Sequence, residues 1–312
     1  MSFSDVDLRM MAEALRLAER GRYSTSPNPR VGCVICRDGQ LISQGWHQRA
    51  GEGHAEVNAL AQLSDAKGAT AYVTLEPCSH QGRTPPCADT LIHAGVSRVV
   101  VAMEDPNPLV AGRGITRLRE VGIHVDLGLM AAQAEALNPG FMRRMRGGLP
   151  WLRLKSASSI DGRTAMASGE SQWITGPEAR ADVQKLRAQS CAILSGVETI
   201  LYDDAALTVR PDSFSVEDVS AQALKGKWRQ PLRVIVDSSL RTPPTAKLLA
   251  GGGEVLIATR VTDIAKQKAL IAAGAKIVVI EDDGGGKVSL PALMRYLADR
   301  GCNEVLLEAG AV

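Results

Sequence analysis

His54-Ala55-Glu56 is followed by Glu76-Pro77-Cys78, by the loop Ser79-His80-Gln81-Gly82-Arg83-Thr84-Pro85-Pro86, and then by Cys87. One imidazole and two thiolates are three good zinc ligands. A structural zinc normally closes its tetrahedron with a fourth protein ligand, whereas three ligands leave a corner for water. Glu56, two residues from His54, is placed to handle the proton of that water. Residues i and i+2 lie roughly 200° apart on a helix, so His54 and Glu56 serve one centre only if it sits off the helix end. Cys87 falls in the first turn of a helix opened by Pro85-Pro86, where exposed N–H groups favour a thiolate.

Outward from this stretch, strands and helices alternate. Asp5 to Glu19 reads as a helix with Val6, Met10, Ala14 and Leu17 on one face. Residues 31–36 and 41–46 read as a hairpin around Asp38-Gly39. A helix over 54–64, strands at 71–75 and 98–103, a helix at 113–121, a strand at 123–129 and helices within 131–145 complete a layered α/β half. Arg146-Gly147-Gly148-Leu149-Pro150 is the best boundary, basic and then turn-forming, and divides the chain into domains 1–147 and 148–312. Beyond it, strands at 151–157, 191–195, 232–237, 254–259, 276–281 and 303–308 alternate with helices at 177–188, 263–273 and 291–300. Segment 211–231 is polar and reads as a surface excursion, and Gly251–Gly253 as a turn. No G-x-G-x-x-G follows a strand, so the Rossmann fingerprint is absent.

The chain has 312 residues, 45% of them hydrophobic, enough for two cores. A formal charge of +2 and 4% aromatic residues give neither an electrostatic footprint nor stacking platforms for nucleic acid. No apolar run reaches about 18 residues, and the start, Met1-Ser2-Phe3-Ser4-Asp5, lacks the pattern of a signal peptide, so a cytoplasmic location is expected. The six cysteines are then thiols or ligands before they are disulfides. Cys33 and Cys36 face opposite sides of a strand and read as packing residues. All five histidines lie in the first half, so the second half works without an imidazole.

The spacing His-x-Glu…Pro-Cys…Cys follows the zinc-deaminase pattern H-x-E…P-C-x-x-C, with a longer loop between the cysteines. Together with Pro27-Asn28-Pro29-x-Val31-Gly32, Glu104-Asp105-Pro106-Asn107-Pro108 and Ser159-Ile160-Asp161-Gly162-Arg163, the chain resembles the bacterial bifunctional riboflavin-biosynthesis deaminase/reductases from about residue 5 onward. The resemblance implies a cytidine-deaminase-like three-layer α/β/α domain followed by a dihydrofolate-reductase-like α/β domain. It implies zinc on His54, Cys78 and Cys87, Glu56 as proton shuttle, and loss of a ring amine from a phosphorylated pyrimidine. Asn28, His47, His80, Arg83, Thr84, Asp105 and Asn107 are the implied substrate contacts. Arg83 is the natural phosphate partner among them.

In the second half the resemblance implies hydride transfer from NADPH, which converts a ribosyl group to a ribityl chain. Ala157, Ser171, Arg187, Leu207, Arg210 and Glu308 are implied for substrate, and Ser159, Trp173, Thr175, Thr199, Asp203 and Ser238 for cofactor, with Asp203 also handling protons at the sugar. Ala205 stands where the family usually has Pro after Asp-Asp. Leu306-Leu307-Glu308-Ala309-Gly310 resembles a strand and turn that would open a cofactor-binding helix, so the reductase half is expected to be C-terminally incomplete, with this strand left at a sheet edge. A homo-oligomer is compatible with the sequence. Two rivals remain: a nucleic-acid deaminase with an accessory domain, which the near-neutral charge opposes, and a structural zinc module, which needs a fourth ligand such as His80.

Overall fold

The structure, a computed structural model, describes residues 3–79, 85–108, 110–170 and 173–310. The backbone clusters into two units, Met1–Gly147 with Val216–Gly226, and Gly148–Ser215 with Lys227–Val312. No helix among the described residues is long and apolar enough to cross a membrane.

The first unit contains α1 (Asp5–Glu19), β1 (Gly32–Arg37), β2 (Gln40–Trp46), α2 (Ala55–Leu60), β3 (Thr70–Val73), α3 (Cys87–His93), β4 (Arg98–Val101), α4 (Arg113–Glu120), β5 (His124–Leu127), α5 (Ala131–Leu137) and α6 (Pro139–Gly147). Ser4 and Asp7 form a reciprocal capping box that starts α1. Asp38 and Gly39, both at positive φ, make the turn between β1 and β2. The sheet order is β2-β1-β3-β4-β5, with β1 antiparallel to both neighbours and β3, β4 and β5 parallel.

Side-chain alternation along the strands builds two cores, one on each face. Val34, Cys36, Tyr72 and Val100 pack with Met11, Leu15 and Phe141 from α1 and α6. Cys33, Ile35, Ala71, Val73, Val99 and Val101 pack with Ala59, Leu91 and Leu118 from α2, α3 and α4. Cys33 and Cys36 thus belong to opposite cores, and neither is a member of the cluster formed by His54, Cys78 and Cys87. Helix α2 lies so close to β2 that a Cβ at Gly45 would fall 2.4 Å from the Ala59 nitrogen, which only glycine accommodates.

The second unit contains β6 (Trp151–Lys155), α7 (Pro177–Gln189), β7 (Ala192–Gly196), α8 (Val197–Asp203), β8 (Leu232–Val236), α10 (Lys247–Ala250), β9 (Val255–Thr259), α11 (Ile264–Ala272), β10 (Ala275–Val279), α12 (Leu290–Asp299) and β11 (Glu304–Glu308), while α9 (Val219–Ala223) clusters with the first unit. The sheet order is β10-β9-β8-β7-β11-β6 and every pairing is parallel. The centre of such a sheet is covered on both faces, and β9 is buried along its whole length. Short helices α8 and α10 carry too few turns for hydrophobic periodicity to reveal them.

Two expectations are corrected here. The strand at 304–308 is not an edge: β11 pairs with β7 on one side and β6 on the other, because parallel crossovers place a late strand between early ones. The edges are β10 and β6, and on β6 Leu154 is 71% accessible. The segment 216–226 is not a free excursion. The Tyr23 hydroxyl donates to Asp218 at 3.0 Å, the Ser220 hydroxyl donates to the Glu19 carbonyl at 2.9 Å, and Leu224 is buried. The Gly251–Gly253 turn also has a purpose. The fully buried Arg233 of β8 donates to the carbonyls of Gly251, Gly252 and Gly253, each at 2.9 Å, and to that of Leu248.

Candidate active sites

His54 does not start the helix; it is the N-cap of α2, with extended backbone (φ −73°, ψ 171°). This answers the geometric demand posed by its spacing from Glu56, because an extended residue releases its side chain from the helical screw. Cys87 is the first residue of α3, capped by Pro86, and its N–H lies 3.4 Å from Cys78 Sγ. The Ala88 N–H donates to the Cys78 carbonyl at 3.1 Å, so the first turn of α3 is tied to the loop after β3.

These attachments bring three donor atoms together. His54 Nδ1 is 3.2 Å from Cys87 Sγ and 3.6 Å from Cys78 Sγ, and all three atoms lie within 4.8 Å of one another. A tetrahedral zinc with bonds of about 2.3 Å to sulfur and 2.0 Å to nitrogen has edges of roughly 3.5–3.8 Å. The donor set and its spacing therefore fit zinc. Among the described residues this is the one cluster of three or more such side chains.

Electrostatics mark the same place. Burial, with the Cys78 charge adding to it, pushes the Glu56 carboxyl up to about 7. The hydrogen bond from Cys87 pulls the Cys78 thiol down, against burial and with help from His54, while that same bond and burial push Cys87 up. His54 is raised by its hydrogen bond to Cys78.

A cavity of about 550 Å³ opens beside these groups, lined by Asn28, His47, His54, Glu56, Cys78, Asp105 and Asn107 among others. Its size suits a small ligand. His47 is buried, and burial lowers its pKa, so its ring is neutral. Nδ1 faces the Gly53 carbonyl at 3.1 Å and must donate, which leaves Nε2 to accept from the Asn28 amide at 3.1 Å. The ring of His47 meets that of His54 edge-on, centroids 5.3 Å apart. His80, Arg83 and Thr84 lie outside the described residues. Glu52, Glu76, Phe141, Arg144 and Met145 also line the cavity, and the sequence reading gives them no role. The basic run Arg143-Arg144-x-Arg146 on α6 is the one signal that points toward them.

In the second unit a cavity of about 780 Å³ opens at the C-terminal ends of β6 and β11 and beside α8, the side of a parallel sheet where ligands bind. Ala157, Trp173, Thr175, Arg187, Thr199, Asp203, Leu207, Arg210 and Glu308 all line it. Lys155 and Arg180 add positive charge, so the volume and charge suit a phosphorylated cofactor and substrate. Arg187 and Glu308, both expected at substrate, are paired with each other at 2.6 and 2.8 Å. Two expected cofactor residues are not in the lining. Ser159 bonds to Asp161 within its own turn, and Ser238 accepts the Val288 N–H at 3.0 Å. Ser171 lies outside the described residues.

Comparison with known proteins finds a matching family region in each half of the chain. Residues 4–103 match the cytidine and deoxycytidylate deaminase zinc-binding region, and residues 150–312 match the RibD C-terminal domain. The chain is 52% identical over 303 residues to the riboflavin biosynthesis protein RibD of Escherichia coli (strain K12), covering 96% of this chain and 80% of that protein. It resembles Acinetobacter baumannii RibD (form 1) with a TM-score of 0.87 and 47% identity, over 98% of this chain and 81% of the other. A Thermotoga maritima protein described as a diaminohydroxyphosphoribosylaminopyrimidine deaminase/5-amino-6-(5-phosphoribosylamino)uracil reductase matches with a TM-score of 0.83 and 31% identity, over 98% and 81%. With a zinc-deaminase region and a reductase region joined in one polypeptide, the chain belongs to the RibD family of bifunctional riboflavin-biosynthesis enzymes.

Proposed function

We propose that His54, Cys78 and Cys87 hold the zinc, and that the first unit hydrolyses the ring amine of a phosphoribosylamino-pyrimidine. The second unit then reduces the ribosyl group of the product to a ribityl chain with NADPH. The convergence of three ligand atoms beside a buried carboxylate, at the wall of a cavity, carries this reading.

When bound, zinc supplies the Lewis acidity that makes water a nucleophile near neutral pH. Glu56 takes the proton of the attacking water and returns it to the amine that leaves as ammonia. Its burial favours that exchange, because a solvated carboxylate is too weak a base to take the proton from water near neutral pH. His47 orients the Asn28 amide, whose carbonyl oxygen then serves as an acceptor for the pyrimidine. Asp105 and Asn107, in the wall of the same cavity, are further contacts, and His80, Arg83 and Thr84 complete the set.

In the second unit NADPH supplies the hydride. Asp203, at the end of α8, manages the proton at the sugar. Arg210 is exposed in the cavity wall and takes the substrate phosphate, while Arg187 is steadied by Glu308. Trp173, Thr175 and Thr199 line the cofactor's side, and Ala157 and Leu207 the substrate's. The substrate is a small molecule and not a nucleic acid, in keeping with the near-neutral charge. The need for Cys78 and Cys87 as thiolates suits a reducing cytoplasm.

The test is ammonia release from the phosphoribosylamino-pyrimidine, with and without a chelator, followed by NADPH consumption. Ammonia release that a chelator abolishes, then NADPH oxidation, is the expected result. A zinc-loaded protein that releases no ammonia would overturn the deaminase assignment.

A further inference from the structure

We infer that Glu76 is a positioning residue of the deaminase reaction: its carboxylate locks the loop that carries Asp105 and Asn107 against the loop that carries Cys78. This inference rests on the deaminase reading above.

Glu76 is 4% exposed and lies two residues before Cys78. One carboxylate oxygen, Oε2, accepts the N–H groups of Asp105 at 3.1 Å and Gly112 at 2.9 Å. The other, Oε1, accepts those of Gly114 at 2.9 Å and Ile115 at 3.2 Å. The Glu76 N–H donates to the Met103 carbonyl at 3.0 Å. The first-turn N–H groups of α4 would otherwise be orphans, and its N-cap, Gly112, has no side chain to offer them. A carboxylate from the metal-bearing loop supplies the cap instead, where the helix dipole favours it.

The loop so gripped is organised from within. The Asn107 N–H donates to the Asp105 carboxylate at 2.8 Å, and the Val110 and Ala111 N–H groups donate to the Asn107 carbonyl at 2.8 and 2.9 Å. Its two ends, Asp105 and Gly112, therefore meet on a single oxygen of Glu76. A close approach seals the junction, since a Cβ at Gly114 would fall 1.9 Å from the Pro77 carbonyl oxygen. Asp105 and Asn107 face the cavity, as does Cys78. One buried carboxylate thus sets the distance between the pyrimidine contacts and the ligand loop.

Glu76→Gln tests this. The amide keeps one acceptor oxygen and turns an NH₂ group toward two backbone donors. The variant should keep one zinc per chain while its KM for the phosphoribosylamino-pyrimidine rises roughly tenfold or more, with a smaller change in kcat. Glu76→Asp retains both acceptors and should recover part of the loss. A merely structural role would shrink the active fraction, so apparent kcat would fall with KM unchanged. Hydrogen exchange at the amides of Asp105, Gly112, Gly114 and Ile115 should quicken in Glu76→Gln without substrate. Folded, zinc-loaded Glu76→Gln with unchanged KM, or with unchanged exchange at these amides, overturns the inference. If Glu76→Gln does not fold, the KM of Glu76→Asp decides, and an unchanged value overturns it equally. A wild-type protein that releases no ammonia would instead sink the deaminase reading, and the exchange comparison would still judge Glu76.

Discussion

Arg187 on α7 and Glu308 at the end of β11, separated by 121 positions, form a two-pronged ion pair of 2.6 and 2.8 Å at the wall of the reductase cavity. The Arg187 fork also donates to the Thr208 carbonyl at 2.9 Å. Both side chains are nearly buried, at 13% and 10% exposure. Removing one partner strands the other charge away from water. Glu308→Ala should cost about 3 kcal/mol in urea unfolding of the reductase unit and abolish NADPH oxidation, and Arg187→Met with Glu308→Leu should regain most of the stability but not the activity. Equal stability of the single and double variants would refute the pairing.

Glu56 sits beside the proposed zinc ligands and is not proposed as one of them. Glu56→Gln should retain zinc, measured by atomic absorption, while ammonia release falls by about a thousandfold. His54→Ala should lose the metal. X-ray absorption of the wild-type protein should show two sulfurs, one nitrogen and one further light atom. A variant at Glu56 that still deaminates would remove the carboxylate from the mechanism.

Asp7 anchors α1 to the sheet. Its carboxylate accepts from Arg98 at 2.6 Å, from the Tyr72 hydroxyl at 2.8 Å and from the Ser4 N–H at 2.9 Å. Burial alone would raise its pKa, but these bonds outweigh burial and hold it well below the usual carboxylate range. The unfolded value is about 3.9, so the stabilisation is fully present above about pH 4 and is lost as pH falls through the depressed folded value. Asp7→Asn should cost about 2 kcal/mol near pH 7 and less near pH 3, by urea unfolding. A gap that does not change with pH would contradict this account.

Among the described residues Arg233 bonds to main-chain carbonyls and to no carboxylate, and its side chain is fully buried. Burial lowers its pKa, but the carbonyls of the 251–253 turn replace its water. Arg233→Met leaves those oxygens without donors and should destabilise the second unit by about 3 kcal/mol or more in chemical denaturation. Wild-type stability in this variant would show that the turn holds itself.

Much of the fold was legible from local pattern. The helix over Asp5–Glu19 and the turn at Asp38-Gly39 stand where periodicity and turn chemistry place them. The motif His54-Ala55-Glu56 with Cys78 and Cys87 named its own chemistry, because few functions other than metal binding combine these donors. Short helices such as α8 left no periodic trace, and the docking of 216–226 depends on two hydrogen bonds that composition does not encode.

What the sequence determined by itself is the kind of chemistry: side-chain donors and their order along the chain are local properties, written residue by residue. What only the tertiary structure decided is which groups meet. Glu76 with the start of α4, Arg187 with Glu308, Arg233 with the glycine turn and β11 between β7 and β6 are all long-range pairings. They follow from parallel crossovers and burial, which choose partners by geometry in three dimensions and not by distance along the chain.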